Sequence, residues 1–395
     1  MMRDSNLPED MVITEILPKL PVKSLMRFKC VSKKWFSLIT NDPKFIAAHL
    51  QYHQSKNTKF FSIIERKHDP VWKYELGKFL VLNYESKDAI FDQTYLEKSY
   101  LSSNINNIVG SCNGLVCLST FHMVNGTKII LWNPATREFR DIPDVTFPTD
   151  VFSASGPLGF GFDKNSKDYK LVRIMKSLST NIYNYNVDQI LLHPHVFTRG
   201  SNCWRSLKPV KGWIWNENRT VLVNGVLYWT GLTPQRESCI WSFNLRDEEF
   251  QTIEQLPADF GDVASDYRLA LCKWKDSILA ALTTPKHIGS DHYFWRMSSL
   301  NFSWTKLFII SGSLGYLNFC GVWMDQLLFE KDFVEPKVLQ IWLCDPIKGS
   351  DRKVFEENDY KSEKWFYKLD CVAHDYVPSL VSVHTQPNNS HGLIN

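Results

Sequence analysis

The sequence predicts a small all-α module of three helices, followed by an all-β, propeller-like domain for which six blades are expected. Three observations lead to this fold class. Apolar residues recur at helical spacing through the first 50 residues of the 395-residue chain. From about residue 59 that period disappears, and short runs rich in Val, Ile, Phe, Tyr and Trp alternate with turn residues. These runs repeat with a period of about fifty residues.

Prolines set the expected ends of the three helices. The first begins near Pro8, which suits a first helical position, and ends at Leu17 because Pro18 cannot continue it. The second begins after Pro21, and the third ends near Pro43. Helices this short cannot bury all their apolar groups against one another. The surplus indicates either a docking face for a partner or a cap packed on the rest of the chain, and periodicity leaves both interpretations open.

The repeat in the second part of the chain has two recurring patterns. The first is a polar turn followed by an apolar strand, and its turns lie at Asn113, Asp168, Asn224, Asp276 and Asp325. The second is an aromatic strand, a polar turn and a further strand. Two hairpins in each unit match the four-stranded blade of a propeller. A β-sandwich also has regular turns, but it does not predict a double-hairpin period of this length.

A sixth blade is expected to combine residues 59–64 and 79–82 with the terminal residues 379–383, so that the two ends of the domain meet. The resulting organisation is a helical module at 1–50, a linker at 51–58, the propeller-like domain at 59–385 and a disordered tail at 386–395. Loops at 144–157, 210–219, 258–266 and 284–292 are long and rich in polar or aromatic residues, which is typical of recognition loops.

Charge and composition restrict the function classes. The net charge is +3, and all of it lies in residues 1–50, where eight Lys or Arg face five Asp or Glu. A basic module suits an acidic partner, although a merely solvated face has the same composition. The electrically neutral remainder argues against nucleic-acid binding. Since there is neither an apolar run of 18 residues nor a signal peptide, we expect no membrane association, a cytoplasmic or nuclear location, and reduced cysteines.

Patterns that would indicate catalysis or cofactor binding are weak. Gly159-Phe160-Gly161 has no third glycine and lies in a strand-like run, so it does not predict a nucleotide loop. Cys112 and Cys117 have no second pair to complete a zinc site. We therefore expect no catalytic residues, no metal and no cofactor.

The first segment resembles the F-box, the motif that binds Skp1 in SCF-type ubiquitin ligases. The resemblance is carried by Leu7-Pro8, Ile16-Leu17, Leu20-Pro21, Leu25, Cys30-Val31-Ser32 and Trp35. One departure is visible, since Met11–Thr14 place one residue more than usual before Glu15. An extra residue rotates a helix by about 100° and changes the register of Leu7-Pro8 against the later positions.

The second part is similar to the plant F-box-associated domain of type 1, which resembles kelch-type propellers. The resemblance is carried by residues 110–116, 132–140, 158–163, 168–173 and 303–307. This family includes the S-locus F-box proteins, the pollen-side partners of stylar ribonucleases. Nothing in the sequence separates that group from the general family.

The two resemblances imply a non-catalytic adaptor subunit of a ubiquitin ligase. A Skp1-like protein is the expected partner, and through it cullin and RING subunits. Propeller loops are expected to recruit a protein target, which would be a stylar ribonuclease in the S-locus group. The alternatives are a Skp1-binding scaffold without ligase activity and a propeller enzyme. The residues implied in Skp1 binding are Leu7, Pro8, Ile16, Leu17, Leu20, Pro21, Leu25 and Val31.

Overall fold

A computed structural model of the chain confirms the predicted succession of a helical module and a β-propeller. The residues that the structure describes are 8–56, 59–64, 78–83, 90–94, 105–122, 126–143, 145, 153–177, 190–215, 220–257, 269–285, 290–298, 301–311, 317–323, 325–333, 338–357 and 374–384. Within these ranges no helix has the length and apolar character that crossing a membrane requires.

The helical module contains one helix more than the sequence predicts. Its elements are α1 (Glu9–Met11), a π-helix (Val12–Ile16), a 3₁₀ turn (Leu17–Lys19), α2 (Val22–Phe28), α3 (Lys33–Asn41) and α4 (Pro43–Lys56). The Ser32 hydroxyl caps α3 by accepting a hydrogen bond from the Trp35 backbone N–H at 3.1 Å. Asp42 accepts in the same way from the N–H groups of Lys44 and Phe45. With this cap before it, Pro43 begins α4, which extends across most of the predicted linker.

Five blades are built from consecutive antiparallel strands. Blade 1 contains β4 (Ile105–Cys112), β5 (Leu115–His122), β6 (Gly126–Asn133) and β7 (Glu138–Ile142). Blade 2 contains β8 (Ser153–Asp163), β9 (Asp168–Ser177), β10 (Leu191–Thr198), β11 (Cys203–Ser206) and β12 (Val210–Lys211). Blade 3 contains β13 (Trp213–Ile214), β14 (Val221–Val223), β15 (Val226–Leu232), β16 (Ser238–Asn244) and β17 (Phe250–Ile253).

Blades 4 and 5 follow the same plan. Blade 4 contains β18 (Leu269–Trp274), β19 (Ser277–Pro285), β20 (Ser290–Met297) and β21 (Trp304–Ser311). Blade 5 contains β22 (Leu317–Trp323), β23 (Gln326–Phe333), β24 (Val338–Asp345) and β25 (Ser350–Glu357). The inner strands β4, β8, β14, β18 and β22 follow one another around a central channel of about 360 Å³.

A further sheet joins the two ends of the domain, although with different terminal residues from those predicted. It contains β1 (Lys59–Ile64), β2 (Lys78–Asn83), β3 (Ile90–Thr94) and β26 (His374–Tyr376), in the order β26-β1-β2-β3. The prediction assigned the terminal strand to residues 379–383. These residues form no strand. Leu380 is buried in the apolar cluster of the helical module, and Val383 is buried in the cluster of blades 1 and 2.

The turn between the last two strands of each blade has the same construction. In all five blades a residue at or next to its end has a left-handed backbone, with φ between 53° and 63°, at Arg137, Asn202, Glu248, Phe302 and Gly349. In blades 1, 3 and 5 an Asn or Asp four residues earlier accepts hydrogen bonds from the turn's N–H groups. This local chemistry explains why the repeat is visible in the sequence as polar positions.

A glycine and a charged group lie at the close contact between blades 2 and 3. A Cβ at Gly159 would lie 2.6 Å from a methyl of Leu227, so only glycine lets β8 approach blade 3 this closely. The buried ammonium of Lys170 on β9 lies 2.9 Å from Asp163 at the end of β8 and 2.8 Å from Glu248 of blade 3. Burial alone would raise the pKa of Asp163, but hydrogen bonds led by that of Lys170 hold it at about 2.

The segment at residues 377–384 is held on blade 1 by the buried side chain of Asn133. Its Nδ2 donates to the carbonyls of Ser379 at 3.1 Å and Val381 at 2.7 Å. Its Oδ1 accepts from the backbone N–H groups of Ala135 and Thr136. One amide group therefore shapes a turn of blade 1 and anchors the segment that follows the last strand.

We predict that Asn133→Ala destabilises the fold by about 3 kcal/mol, because it leaves two buried carbonyls and two turn N–H groups without their partner. Urea unfolding followed by tryptophan fluorescence measures this change. Asn165→Ala, at an exposed turn position, is the control and is expected to change stability by less than about 0.5 kcal/mol. Equal stability of the two variants would show that Asn133 does not anchor the segment.

We also predict an acid-induced loss of stability from two buried histidines. Burial lowers the pKa of His49 and of His292 from 6.5 to about 4. On acidification these histidines take up a proton at a higher pH in the unfolded chain than in the folded protein. The free energy of unfolding therefore falls as pH decreases from about 6.5 to about 4. We expect each histidine to remove about 1–2 kcal/mol between pH 7 and pH 5.

Urea unfolding at a series of pH values tests this expectation. His292→Asn should reduce the slope of stability against pH, whereas His384→Asn, at an exposed position, should leave it unchanged. A wild-type slope equal to that of His292→Asn would contradict the role of His292.

Candidate functional site

The core of the helical module includes residues of the propeller. Leu17, Leu25 and Ile39 are fully or almost fully buried, and they form one cluster with Leu380 from the C-terminal segment. Ala135 of blade 1 packs against the same cluster. The module is therefore attached to the propeller by a shared apolar core, as the cap interpretation of the sequence predicts for one of its faces.

Helix α4 completes this attachment through polar contacts. The imidazoles of His49 and His53 both contact the carbonyl oxygen of Leu20, at 3.0 and 3.2 Å, and their rings lie 4.3 Å apart. One turn later, Gln54 donates to the side-chain oxygen of Asn113 at 2.9 Å. Asn113 belongs to the β4–β5 turn, so α4 connects the first helices directly to blade 1.

The module also carries large apolar side chains that are exposed to solvent, and we call their surface its open face. Half of the eight strongly exposed large apolar residues in the described part of the chain lie here, namely Met11, Ile16, Val31 and Phe36. Val31 is 62% exposed and Phe36 50% exposed. The Lys34 ammonium lies 2.8 Å from the Glu9 carboxylate, which holds the start of α3 beside α1. The shared core agrees with the cap interpretation, and the exposed apolar residues are what the docking interpretation predicts.

The residues implied in partner binding divide into three groups. Pro8, Ile16, Pro21 and Val31 are exposed, and Leu20 is half-buried. Leu17 and Leu25 are buried in the module's own core, and their part in partner binding stays a prediction. Leu7 lies outside the described residues. Phe36 is also exposed, but the sequence did not predict it as a binding residue. It faces away from the apolar side of α3, and its exposure depends on the tertiary packing.

The extra residue before Glu15 lies within the π-helix. The Leu17 N–H donates to the carbonyl of Val12, five residues earlier, whereas in an α-helix each N–H donates to the carbonyl four residues earlier. A π-turn contains one residue more than an α-turn. The π-turn is therefore a local way to accommodate the added residue, and its effect on the register of the flanking positions stays a prediction.

The propeller surface offers less information about a target site. Of the four predicted recognition loops, residues 258–266 lie entirely outside the described residues and the other three lie partly outside them. Among the described residues there is no group of three or more His, Cys, Asp or Glu that could hold a metal ion.

Comparison with known proteins matches both parts of the chain. The F-box domain family matches residues 5–47, and the F-box associated beta propeller domain family matches residues 80–383. Three relatives come from Arabidopsis thaliana. The F-box protein At5g10340 is 26% identical over 82% of this chain and 75% of its own length. The F-box/kelch-repeat protein At3g23880 is 25% identical, over 79% and 81%. The F-box/LRR-repeat/kelch-repeat protein At1g09650 is 27% identical, over 96% and 97%.

These matches agree with the geometry described above, a helical module with an open apolar face attached to a propeller. The chain belongs to the family of F-box proteins that carry an F-box-associated β-propeller domain.

Proposed function

We propose that this protein is the substrate-recognition subunit of an SCF-type ubiquitin ligase. The observation that carries the proposal is the open apolar face of the helical module, on a segment that matches the F-box domain. Exposed apolar residues grouped on one face are typical of a protein-binding surface. The partner would be a Skp1-like adaptor, which would connect the chain to cullin and RING subunits in the cytoplasm or nucleus.

The shared core between the module and the propeller gives this role a physical basis. A ligase adaptor catalyses nothing itself but holds its target near a charged conjugating enzyme, which raises the effective concentration of the target lysine. That effect depends on the length and stiffness of the connection between the two binding surfaces. Two contacts make the connection between module and propeller short. Leu380 is buried in the core of the module, and Gln54 of α4 is hydrogen-bonded to the β4–β5 turn.

A Skp1-binding scaffold without ligase activity is the second candidate, because the open face alone does not require a cullin. Co-expression with a plant Skp1-like protein and a cullin, followed by affinity capture and size-exclusion chromatography, separates the two. We expect one complex that contains all three proteins. A stable complex with Skp1 that excludes cullin would favour the scaffold, and no complex with Skp1 would overturn both candidates.

We predict that Val31→Glu and Phe36→Glu each weaken binding of the Skp1-like protein by about 2 kcal/mol or more, because each places a charge in the centre of an apolar contact. Isothermal titration calorimetry measures the affinity. Since both side chains are exposed, the free energy of unfolding should change by less than about 0.5 kcal/mol.

Ile347→Glu is the matched control, since Ile347 is 87% exposed on a turn of blade 5. It should leave the affinity unchanged. If Val31→Glu and Phe36→Glu bind the Skp1-like protein as tightly as this control, the open face is not the docking surface.

A further inference from the structure

A groove of about 1030 Å³ separates helix α4 from the rim of the propeller. The α4 wall is formed by Ile46, Ala47 and Leu50, and the opposite wall includes Phe162 at the end of β8. Val381 of the C-terminal segment forms part of the base. The groove thus has apolar surface on both sides and lies between the two parts of the chain. Its volume matches the upper end of the range found for binding pockets.

The charged side chains that line the groove are mostly cationic. Lys164 and Lys167 are exposed on the β8–β9 turn, and neither forms an ion pair with a residue that the structure describes. Asp168 is the one carboxylate among the described lining residues, and it already accepts hydrogen bonds from Arg199 and from the Gly200 N–H. Two lysines therefore line the groove without a carboxylate partner among the described residues.

The propeller wall is held in place before any partner binds. The Arg199 guanidinium donates to Asp168 at 3.3 Å and to the Ser382 carbonyl at 2.8 Å, and it lies 4.7 Å from the ring centre of Tyr169. Lys167 occupies the left-handed position that ends the β8–β9 turn, with φ of 54°. A rigid wall loses little conformational freedom on binding, which favours affinity.

We propose that this groove binds an extended acidic peptide segment, with alternating apolar side chains, from a recruited protein. Its apolar side chains would pack against Ile46 and Leu50 on the α4 wall, and its carboxylates would face Lys164 and Lys167 on the propeller wall. In an extended segment successive side chains point in opposite directions, so apolar and acidic positions can face different walls. This site is distinct from the open face of the helical module, and the inference rests on the proposed role of the chain in recruiting a target.

A synthetic peptide tests the proposal on the full chain. The probe is fluorescein-labelled Gly-Glu-Leu-Glu-Phe-Glu-Leu-Glu-Gly, and its control has Gln at every Glu position. Fluorescence anisotropy should show binding of the acidic probe that weakens as salt increases from 50 to 200 mM, about tenfold weaker binding of the Gln peptide, and little salt dependence for the latter.

Variants on both walls locate the binding. Lys164→Glu combined with Lys167→Glu should weaken the acidic probe by about tenfold or more, whereas Lys208→Glu, at an exposed position outside the groove, should change affinity by less than about twofold. On the other wall, Ala47→Glu should weaken binding. Ala48→Glu is its matched control, because Ala48 is exposed on the same helix and does not line the groove.

Three outcomes would overturn the proposal. The first is equal binding of the acidic and Gln peptides. The second is equal affinity of the charge-reversed variant and the Lys208→Glu control. The third is binding only by a chain that ends at His384, which would assign the groove to residues 385–395 of the same molecule. Binding of the Skp1-like protein by the groove variants is measured in parallel, so that a failure of this proposal remains distinguishable from a failure of the ligase proposal.

Discussion

The amide of Asn133 is the contact on which the arrangement of the two parts of this protein depends. It holds the carbonyls of Ser379 and Val381, and between those two residues Leu380 enters the core of the helical module. Val383, a few residues further, is buried in the core of blades 1 and 2. A buried amide bound at both ends is directional, whereas apolar contacts are not. The apolar surfaces supply most of the favourable free energy, and Asn133 decides which segment enters which core.

The propeller itself is held together by contacts of a different kind. Its blades meet through flat apolar surfaces, and Gly159 allows β8 to approach Leu227 closely. The buried Lys170 then connects Asp163 of blade 2 with Glu248 of blade 3. A buried ion pair contributes little net stability relative to apolar packing, because desolvation offsets its attraction. Its value here lies in specificity, since sliding of one blade against the next would leave a buried charge unpaired.

The helical module illustrates how one short segment can serve two surfaces. Leu17 and Leu25 fill a core that it shares with the propeller, while Val31 and Phe36 remain open to solvent on another face. The π-turn at Val12–Ile16 is a local way for this segment to accommodate an added residue. An attachment of this type transmits the position of the propeller to whatever binds the open face, which is what a subunit that orients a target requires.

The sequence by itself determined the features that depend on local chemistry. Polar turns at fixed spacing revealed the blades, and prolines with capping residues set most of the helix ends, because turn and cap preferences act over a few residues. The third predicted helix does end just before Pro43, but the sequence did not predict helix α4, which Pro43 begins. Only the tertiary structure decided that residues 379–383 leave the sheet, that Leu17 is buried while Val31 is exposed, and that α4 lies over blade 1. These features depend on contacts between residues far apart in the chain. Apolar periodicity predicts which side chains are buried in a helix or strand, but it does not predict which residues they pack against.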